Sequence, residues 1–447
     1  MKNILIVCER FAPENTVGAT RMTKIAKYLK RTGKYNITVL TREKNVERPD
    51  EFLLKDTLYV DKFLYATEGK IGKWVKEKYA TRSSSKKYVD NKRNESEILT
   101  NNQKARQVIG IKKSIISLVS VLITVVIAHS YKKNALKKIE HCGKKFDVVI
   151  SSHGPESSHY IGQGYKRFNR KALWIADFRD QLFQGEATFG LLRWWSRTYT
   201  ARICKKADYL TAVSKGCLDN IYAPINAKTK VITNGFDPDD ITGITDKYKK
   251  EGVFTLAYIG SFLIGRRDIS PVLKCVNDLI LEEKIKKNKV RIVYAGEDKA
   301  EFIVQIEKYG LKEICTYFDK IPRVDALAWE KSSDLLLLAA WNTKGYTGSL
   351  PAKFYEYLNI NKNIVCCISG TAGESELKEL IQKANAGFCY EEVTHLKDYN
   401  NLKQFVYEKY KEFYDKGCLK TQYNMQFVRQ FQHNFLANEF EKLFKEI

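Results

Sequence analysis

None of the ten cysteines (8, 142, 204, 217, 275, 315, 366, 367, 389 and 418) stands in a C-x-x-C pair. That argues against a structural zinc site, and the cysteines inside strand-like runs read as small core residues in a reducing cytosol. The start, "MKNILIVCE", has one early lysine, a short apolar run and no small-residue cleavage site, so it reads as a strand and not as a leader. A zinc-finger pattern and an aromatic RNP-like strand are missing, which removes the usual support for nucleic-acid binding. There is no internal repeat, and the lone Gly18 is not a G-x-G-x-x-G dinucleotide fingerprint. Nor does any D-x-D stand in a convincing position: "DPDD" at 237–240 falls in a connector, so neither a metal nor another cofactor is expected.

What is present is abundant and uneven. At 447 residues the chain has room for two substantial cores, and 44% hydrophobic with 29% charged residues is a globular composition. Residues 1–250 carry 48 Lys and Arg against 25 Asp and Glu, whereas 251–447 carry 28 against 27. Nearly the whole net charge of +24 therefore lies in the first half and implies an anionic partner, for which a membrane surface fits better than nucleic acid.

Strand-like runs at Ile4–Cys8, Ile37–Leu40, Phe146–Ile150, Leu173–Ala176 and Tyr209–Val213 alternate with helical stretches. A turn-rich connector follows, and then a second series at Phe254–Ile259, Val290–Ala295, Cys315–Phe318, Leu335–Ala339 and Ile364–Ile368. Two consecutive parallel α/β sheets are expected: a domain over 1–232, a connector over 233–252, a domain over 253–420, and a terminal helix over 421–447 packing back toward the first domain. Residues 81–107 are polar and read as a mobile loop. No charge lies between Lys113 and Lys132, an interval of 18 positions. A single span there would put strands of one sheet on opposite sides of a bilayer, so 112–133 reads as a membrane-contacting segment or a helix covering the first sheet.

The stretch "GSLPAKFYEYLNINKNIV" (348–365) sets Lys353 and Glu356 on one helical face above Phe354, Tyr357 and Leu358. At a helix start a lysine suits phosphate, and a carboxylate one turn deeper suits two sugar hydroxyls. The plain alternative is a solvated i, i+3 ion pair. Two facing α/β domains would hold ligands at the carboxyl ends of their strands. Candidates at those ends are Gly18 and Ala19 after the first strand, His153 (with His159 as rival) in "SSHGPESSH", and Asp177, Arg179 and Asp180 in "IADFRD". Asp180 could bind or deprotonate an acceptor hydroxyl, while Asp177 fits a structural ion pair better. In the second half the candidates are Arg266, Arg267 and Ser349 with the lysine–glutamate pair.

Four segments in order, "RFAPENTVGATRMTKIAKYLKRTG", "ISSHGPESSHYIG" with "LWIADFRD", "YIGSF" with "GRRDISPVLKCV", and "GSLPAKFYEYLNINKNIV", resemble glycosyltransferase family 4, in particular its members that build bacterial capsule, O-antigen and exopolysaccharide. The resemblance implies a GT-B fold, two Rossmann-like domains facing each other across a cleft. It implies that Glu356 accepts from the ribose hydroxyls and that Lys353, Arg266 or Arg267 meets the diphosphate of a nucleoside diphosphate sugar, with Ser349 beside them. Gly18 and Ala19 would bring backbone N–H groups to the diphosphate, and His153 would lie against the donor sugar. Many members carry a second glutamate preceding the Glu356 position, where this chain has Gly348, and backbone N–H groups of 348–350 would take its place.

The expected activity is transfer of a hexosyl-type unit, with retention, to a polyprenyl-diphosphate-linked or other saccharide acceptor. The expected place is the cytoplasm, peripheral at the inner face of the cell membrane. The alternatives are a nucleotide-sugar epimerase on the same fold, a nucleic-acid or anionic-surface binder without activity, and an inactive scaffold.

Overall fold

The computed structural model of the chain describes residues 1–43, 46, 49–75, 77–78, 123, 125–154, 157–180, 198, 200–221, 228–263 and 266–445. The expected loop at 81–107 and residues 112–122 and 124 of the apolar segment lie outside them. Two compact units emerge. The first comprises Met1–Ala212, Ile221–Lys230 and Leu443–Ile447; the second comprises Val213–Asn220 and Val231–Lys442.

The first unit is built on a parallel sheet of seven strands: β1 (Lys2–Val7), β2 (Tyr35–Arg42), β3 (Lys62–Ala66), β4 (Val148–Ser152), β5 (Leu173–Phe178), β6 (Tyr209–Ala212) and β7 (Lys228–Val231). Their order across the sheet is β3-β2-β1-β4-β5-β6-β7. The second unit has six strands: β8 (Phe254–Ile259), β9 (Val290–Ala295), β10 (Cys315–Phe318), β11 (Leu335–Trp341), β12 (Asn363–Ser369) and β13 (Gly387–Glu391). They lie in the order β10-β9-β8-β11-β12-β13, and the pairings with described register are parallel. Central strands such as β5 and β8 are buried along their whole length, which is why they read as unbroken apolar runs.

Each sheet reverses direction once, between β1 and β4 in the first unit and between β8 and β11 in the second. In doubly wound sheets ligands gather outside the carboxyl ends of strands at that reversal. Gly18 and His153 follow β1 and β4, Arg266, Arg267 and Lys353 follow β8 and β11, and Asp180 follows β5, one strand away from the reversal.

Both faces of the second sheet are covered. Leu256, Tyr294 and Leu337 pack on one side with Val272 and Val406, while Ala257, Val293 and Leu336 pack on the other with Phe354, Tyr357 and Leu358. Each such side chain contributes about 1.5–3 kcal/mol by leaving water. The helix Ala352–Ile360 is held by that face, with Tyr355 buried as well, so Lys353 and Glu356 are left on its partly exposed side. Near the end of the chain the helix His433–Lys445 carries Phe444, whose ring meets that of Tyr35 edge-on at 5.6 Å. The described part of the apolar segment continues into a helix over 125–141, with Ala128, Tyr131, Ala135 and Ile139 buried. Among the described residues no helix is long and apolar enough to cross a membrane.

Candidate functional site

In the second unit the chain leaves β8 through Gly260 and Ser261. Asp298 ties this turn down by accepting from Ser261 Oγ at 2.5 Å and from the Phe262 N–H at 2.7 Å. Arg266 and Arg267 follow, each guanidinium 5.5 Å from the ring centre of Trp341 at the end of β11. Arg267 Nη1 donates to the Ser261 carbonyl at 3.1 Å, while its buried Nε has no partner. Arg266 is exposed, so the turn presents one fixed and one freer cation beside an indole. Such cation–aromatic contacts are worth about 0.5–1 kcal/mol where exposed.

The loop after β11 reaches Gly348 with φ of 77°, where the Gly348 carbonyl accepts from Ser214 Oγ at 2.8 Å. A Cβ on Gly348 would stand 2.7 Å from Gly216 Cα, so the position that carries a glutamate in many family 4 members has no room here for any side chain. Ser349 is half-buried in the coil that leads through Pro351 into the helix Ala352–Ile360. No side chain caps that helix, and its first turn holds no acid, so its N-terminal field is uncompensated from within.

The Lys353 and Glu356 pair is not a solvated surface pair. Lys353 Nζ donates at 2.5 Å to Glu356 Oε1 and at 2.5 Å to Glu330 Oε1, and Glu330, on the helix Arg323–Ser332, is completely buried. Arg323 Nη2 lies 3.7 Å from Glu356 Oε2 and 3.1 Å from Asp240. Burial pushes Glu330 well above the usual carboxylate range against the pull of Lys353. For Glu356 burial also acts upward, but Lys353 and Arg323 outweigh it and hold the group down, at about 2. Burial would lower Lys353, yet the two carboxylates raise it. The arrangement is a fixed ammonium between a carboxylate held low and a buried carboxyl pushed up.

In the first unit Thr16 caps the helix Val17–Arg31 by accepting from the Ala19 N–H at 3.3 Å. At this helix start the Ala19 amide meets the Thr16 hydroxyl of the cap. A Cβ on Gly18 would fall 1.7 Å from Arg179 Nη1, and one on Gly154 2.0 Å from Nη2. The two glycines therefore cradle the Arg179 guanidinium, which donates to the carbonyls of His153 and Gly154. Burial lowers the pKa of Arg179, opposed by neighbouring Asp180. Asp180 itself is half-buried after β5, and residues 181–197 beyond it lie outside the described set.

Asp177 is fully buried and receives Arg21 Nε at 3.0 Å and Nη2 at 2.8 Å, with Ser152 and Thr211 hydroxyls completing its shell. His153 follows β4, buried, with neither ring nitrogen partnered, and its ring stacks beside those of His159 and Phe178, which themselves meet at 4.5 Å. Burial, then His159 and Arg179, hold it well below the usual imidazole range. His159 is pushed down to about 3 by burial, with Nδ1 2.8 Å from Ser151 Oγ. A neutral His153 can exchange a hydrogen bond with a hydroxyl but cannot act as a cation.

Within the first unit the sequence candidates Gly18 and His153 converge on Arg179, and within the second Lys353 and Glu356 converge, with Arg266 and Arg267 meeting at Trp341. Glu330, Arg323 and Trp341 were not anticipated. Glu330 had a sequence signal: it stands three and four residues after Leu327 and Ala326, so a charge occupies the apolar face of its helix.

No protein-family profile matches the chain, and no curated protein matches it by sequence. Solved structures do match its fold over its whole length. The sucrose-phosphate synthase of Thermosynechococcus elongatus is 10% identical with a TM-score of 0.60, covering 100% of this chain and 99% of its own. The lipopolysaccharide outer core galactosyltransferase WaaB is 12% identical with a TM-score of 0.55, covering 100% of each. A "Trehalose-6-phosphate" protein from E. coli, solved with UDP-2-fluoro glucose, is 10% identical with a TM-score of 0.58, covering 100% of this chain and 99% of its own. The two parallel sheets with flanking helices are thus of the GT-B type.

Proposed function

We propose that the chain is a glycosyltransferase of the family 4 kind, which moves a glycosyl unit from a nucleoside diphosphate sugar to a saccharide acceptor. The observation that carries this reading is the Lys353–Glu356 pair at the reversal point of the second sheet, backed by Glu330. An ionised carboxylate is the acceptor that two adjacent ribose hydroxyls require, and a fixed ammonium meets the phosphate. As the glycosidic bond breaks, negative charge grows on the leaving diphosphate. Lys353, with Arg266 or Arg267 above Trp341, would stabilise it without reorganising. GT-B neighbours that include a galactosyltransferase and a protein solved with UDP-2-fluoro glucose support a sugar nucleotide as donor.

In the first unit, His153 would offer a neutral imidazole to a donor-sugar hydroxyl, and Asp180 would bind or deprotonate the acceptor hydroxyl. The acceptor we favour is a polyprenyl-diphosphate-linked saccharide at the inner face of a membrane, as in capsule or O-antigen assembly, and retention of anomeric configuration accompanies the family reading. Support for membrane contact is the basic first half of the sequence and the helical residues 70–75, where Ile71 and Trp74 are exposed between Lys70, Lys73 and Lys78. Lys78 Nζ lies 4.4 Å from the Trp74 ring centre, and amphipathic indole with lysine suits a headgroup layer.

The test is calorimetric titration of the protein with UDP, GDP, dTDP and CDP, repeated on Glu356→Ala. Micromolar binding of one nucleotide that the variant loses is the expected result. Absence of binding by all four to folded protein would return the pair to a structural role. Binding with no turnover of any sugar nucleotide would favour the inactive scaffold.

A further inference from the structure

The helix Arg323–Ser332 contributes a carboxylic acid with no evident structural need. Glu330 is 0% exposed, one oxygen receives Lys353 Nζ at 2.5 Å, and the other has no hydrogen-bond partner. An apolar residue on that face would cost less, because an unpartnered buried carboxyl oxygen forfeits its hydration. The helix is otherwise ordinary, with Ala326, Leu327 and Trp329 buried beside it.

We infer that Glu330 is a positioning residue for nucleotide binding, acting through Lys353: it fixes the ammonium against Glu356 and leaves that carboxylate charged for the ribose. The inference rests on the nucleotide-sugar reading above. It concerns a residue that does not itself touch the ligand.

Charge balance across the cluster carries the argument. The groups that face Glu330 or its partners include Lys353, Glu356 and Tyr357 from the helix Ala352–Ile360, Arg323 from its own helix, and Asp240 from the turn Pro238–Ile241. Tyr357 is occupied, donating to the Leu337 carbonyl at 3.1 Å. Glu330 and Glu356 share the one ammonium of Lys353, and Glu356 also lies 3.7 Å from Arg323. A proton therefore falls most cheaply on Glu330, the more buried of the two, whose second oxygen can hold it. Glu356, nearer solvent and touching both cations, keeps its charge. With a proton, Glu330 still accepts from Lys353 and orients it; without one, it would draw Lys353 away from Glu356 and set a second negative charge behind the diphosphate.

Two variants separate this role from simple packing. Glu330→Gln keeps the shape, the acceptor oxygen and the neutral charge, whereas Glu330→Leu fills the volume without an acceptor. Binding of UDP, GDP, dTDP and CDP is titrated calorimetrically on full-length wild type and both variants from pH 6 to 9.5, with a thermal melt of each. Where wild type binds one of the four, Glu330→Gln should stay within about twofold at pH 6–7 and Glu330→Leu should lose about tenfold or more. A protonated Glu330 presents the same neutral acceptor as a glutamine, so the ratio of wild-type to Glu330→Gln affinity should stay within about twofold across the range. The phosphate ionisation of the nucleotide cancels in that ratio.

Wild-type affinity in Glu330→Leu, equal loss in both variants, or a ratio that changes more than about tenfold across the range would overturn the positioning role and leave the nucleotide reading standing. No binding of any of the four by wild type would overturn the nucleotide reading, and this inference with it. If Glu330→Leu does not fold, Glu330→Met, which also lacks the acceptor, takes its place with the same outcomes.

Discussion

At the carboxyl end of β4 the first unit presents His153, a buried ring with its pKa pushed down, and next to it a buried ion pair, Arg21 with Asp177. At the end of β8 and β11 the second unit presents two arginines on an indole, and a lysine held between two glutamates whose pKa values are pushed in opposite directions. The sheets follow the same winding rule, and both reversal points are lined by polar residues. The first pairs its charges in the core beside an imidazole whose pKa burial lowers, while the second keeps Lys353, Glu356 and Arg266 at partly or fully exposed positions. The fold supplies the place, and the local dielectric decides what chemistry the place can do.

The sharpest way to break this contrast is Asp177→Ala. It removes the carboxylate that receives the guanidinium of Arg21, itself 1% exposed, in the first core. A loss of about 3–5 kcal/mol is expected in urea unfolding, because one partner of a buried ion pair is gone. A loss below about 1 kcal/mol, the range of surface pairs, would mean that the pair is solvated.

Glu356→Ala should come next and act on ligand instead of stability. Removing a charged acceptor of two hydroxyls costs about 1.5–3 kcal/mol, which is ten- to more than a hundredfold in nucleoside diphosphate affinity. Asp180→Ala should change that affinity by less than about twofold, since the acceptor side makes no use of the nucleotide. Equal losses would erase the distinction between the two units.

Both sheets were legible because interior parallel strands are apolar on both faces, and every interior strand was anticipated within a few residues. The strands that escaped are β3, β7 and β13, all at sheet edges. β3 and β7 are partly exposed, and "KFLYA" and "KTKV" carry no continuous apolar run. The placement of Lys353 and Glu356 on one helical face followed from their spacing. Their third partner did not, because Glu330 is 23 positions away and meets Lys353 only through tertiary packing. The same holds for Gly18: a glycine after the first strand was visible, but its neighbour Arg179 comes from the other side of the sheet reversal.

A smaller effect should appear in acid. Unfolded His153 and His159 take up a proton near their ordinary value of 6.5, while in the folded chain burial keeps them neutral, His159 down to about 3. The folded state therefore binds fewer protons below 6.5, and stability falls as pH drops from there toward the folded value. His153→Phe keeps a ring beside His159 and Phe178 and removes one of the two protons. The slope of unfolding free energy between pH 6 and 5 should become shallower by up to about 1.4 kcal/mol per pH unit. An unchanged slope would mean that His153 is charged or solvated in the folded state, against the contrast drawn between the units.

The smallest effect tests the other asymmetry, the charge excess of the first 250 residues, 48 basic against 25 acidic, over the balanced remainder. If that excess serves an anionic bilayer, lysines beside exposed apolar side chains should matter and equally exposed lysines elsewhere should not. Lys70 and Lys73 flank Ile71 and Trp74, which are 69% and 56% exposed. Replacing either lysine with Gln should weaken binding to phosphatidylserine-containing vesicles by about 1 kcal/mol, or roughly fivefold. The same change at exposed Lys383, in an i, i+4 pair with Glu379 of the second unit, should leave it untouched. Nucleotide affinity should stay constant in all three variants. Equal weakening at Lys70 and Lys383 would reduce the first half to a diffuse positive field, in which Trp74 and Ile71 take no part.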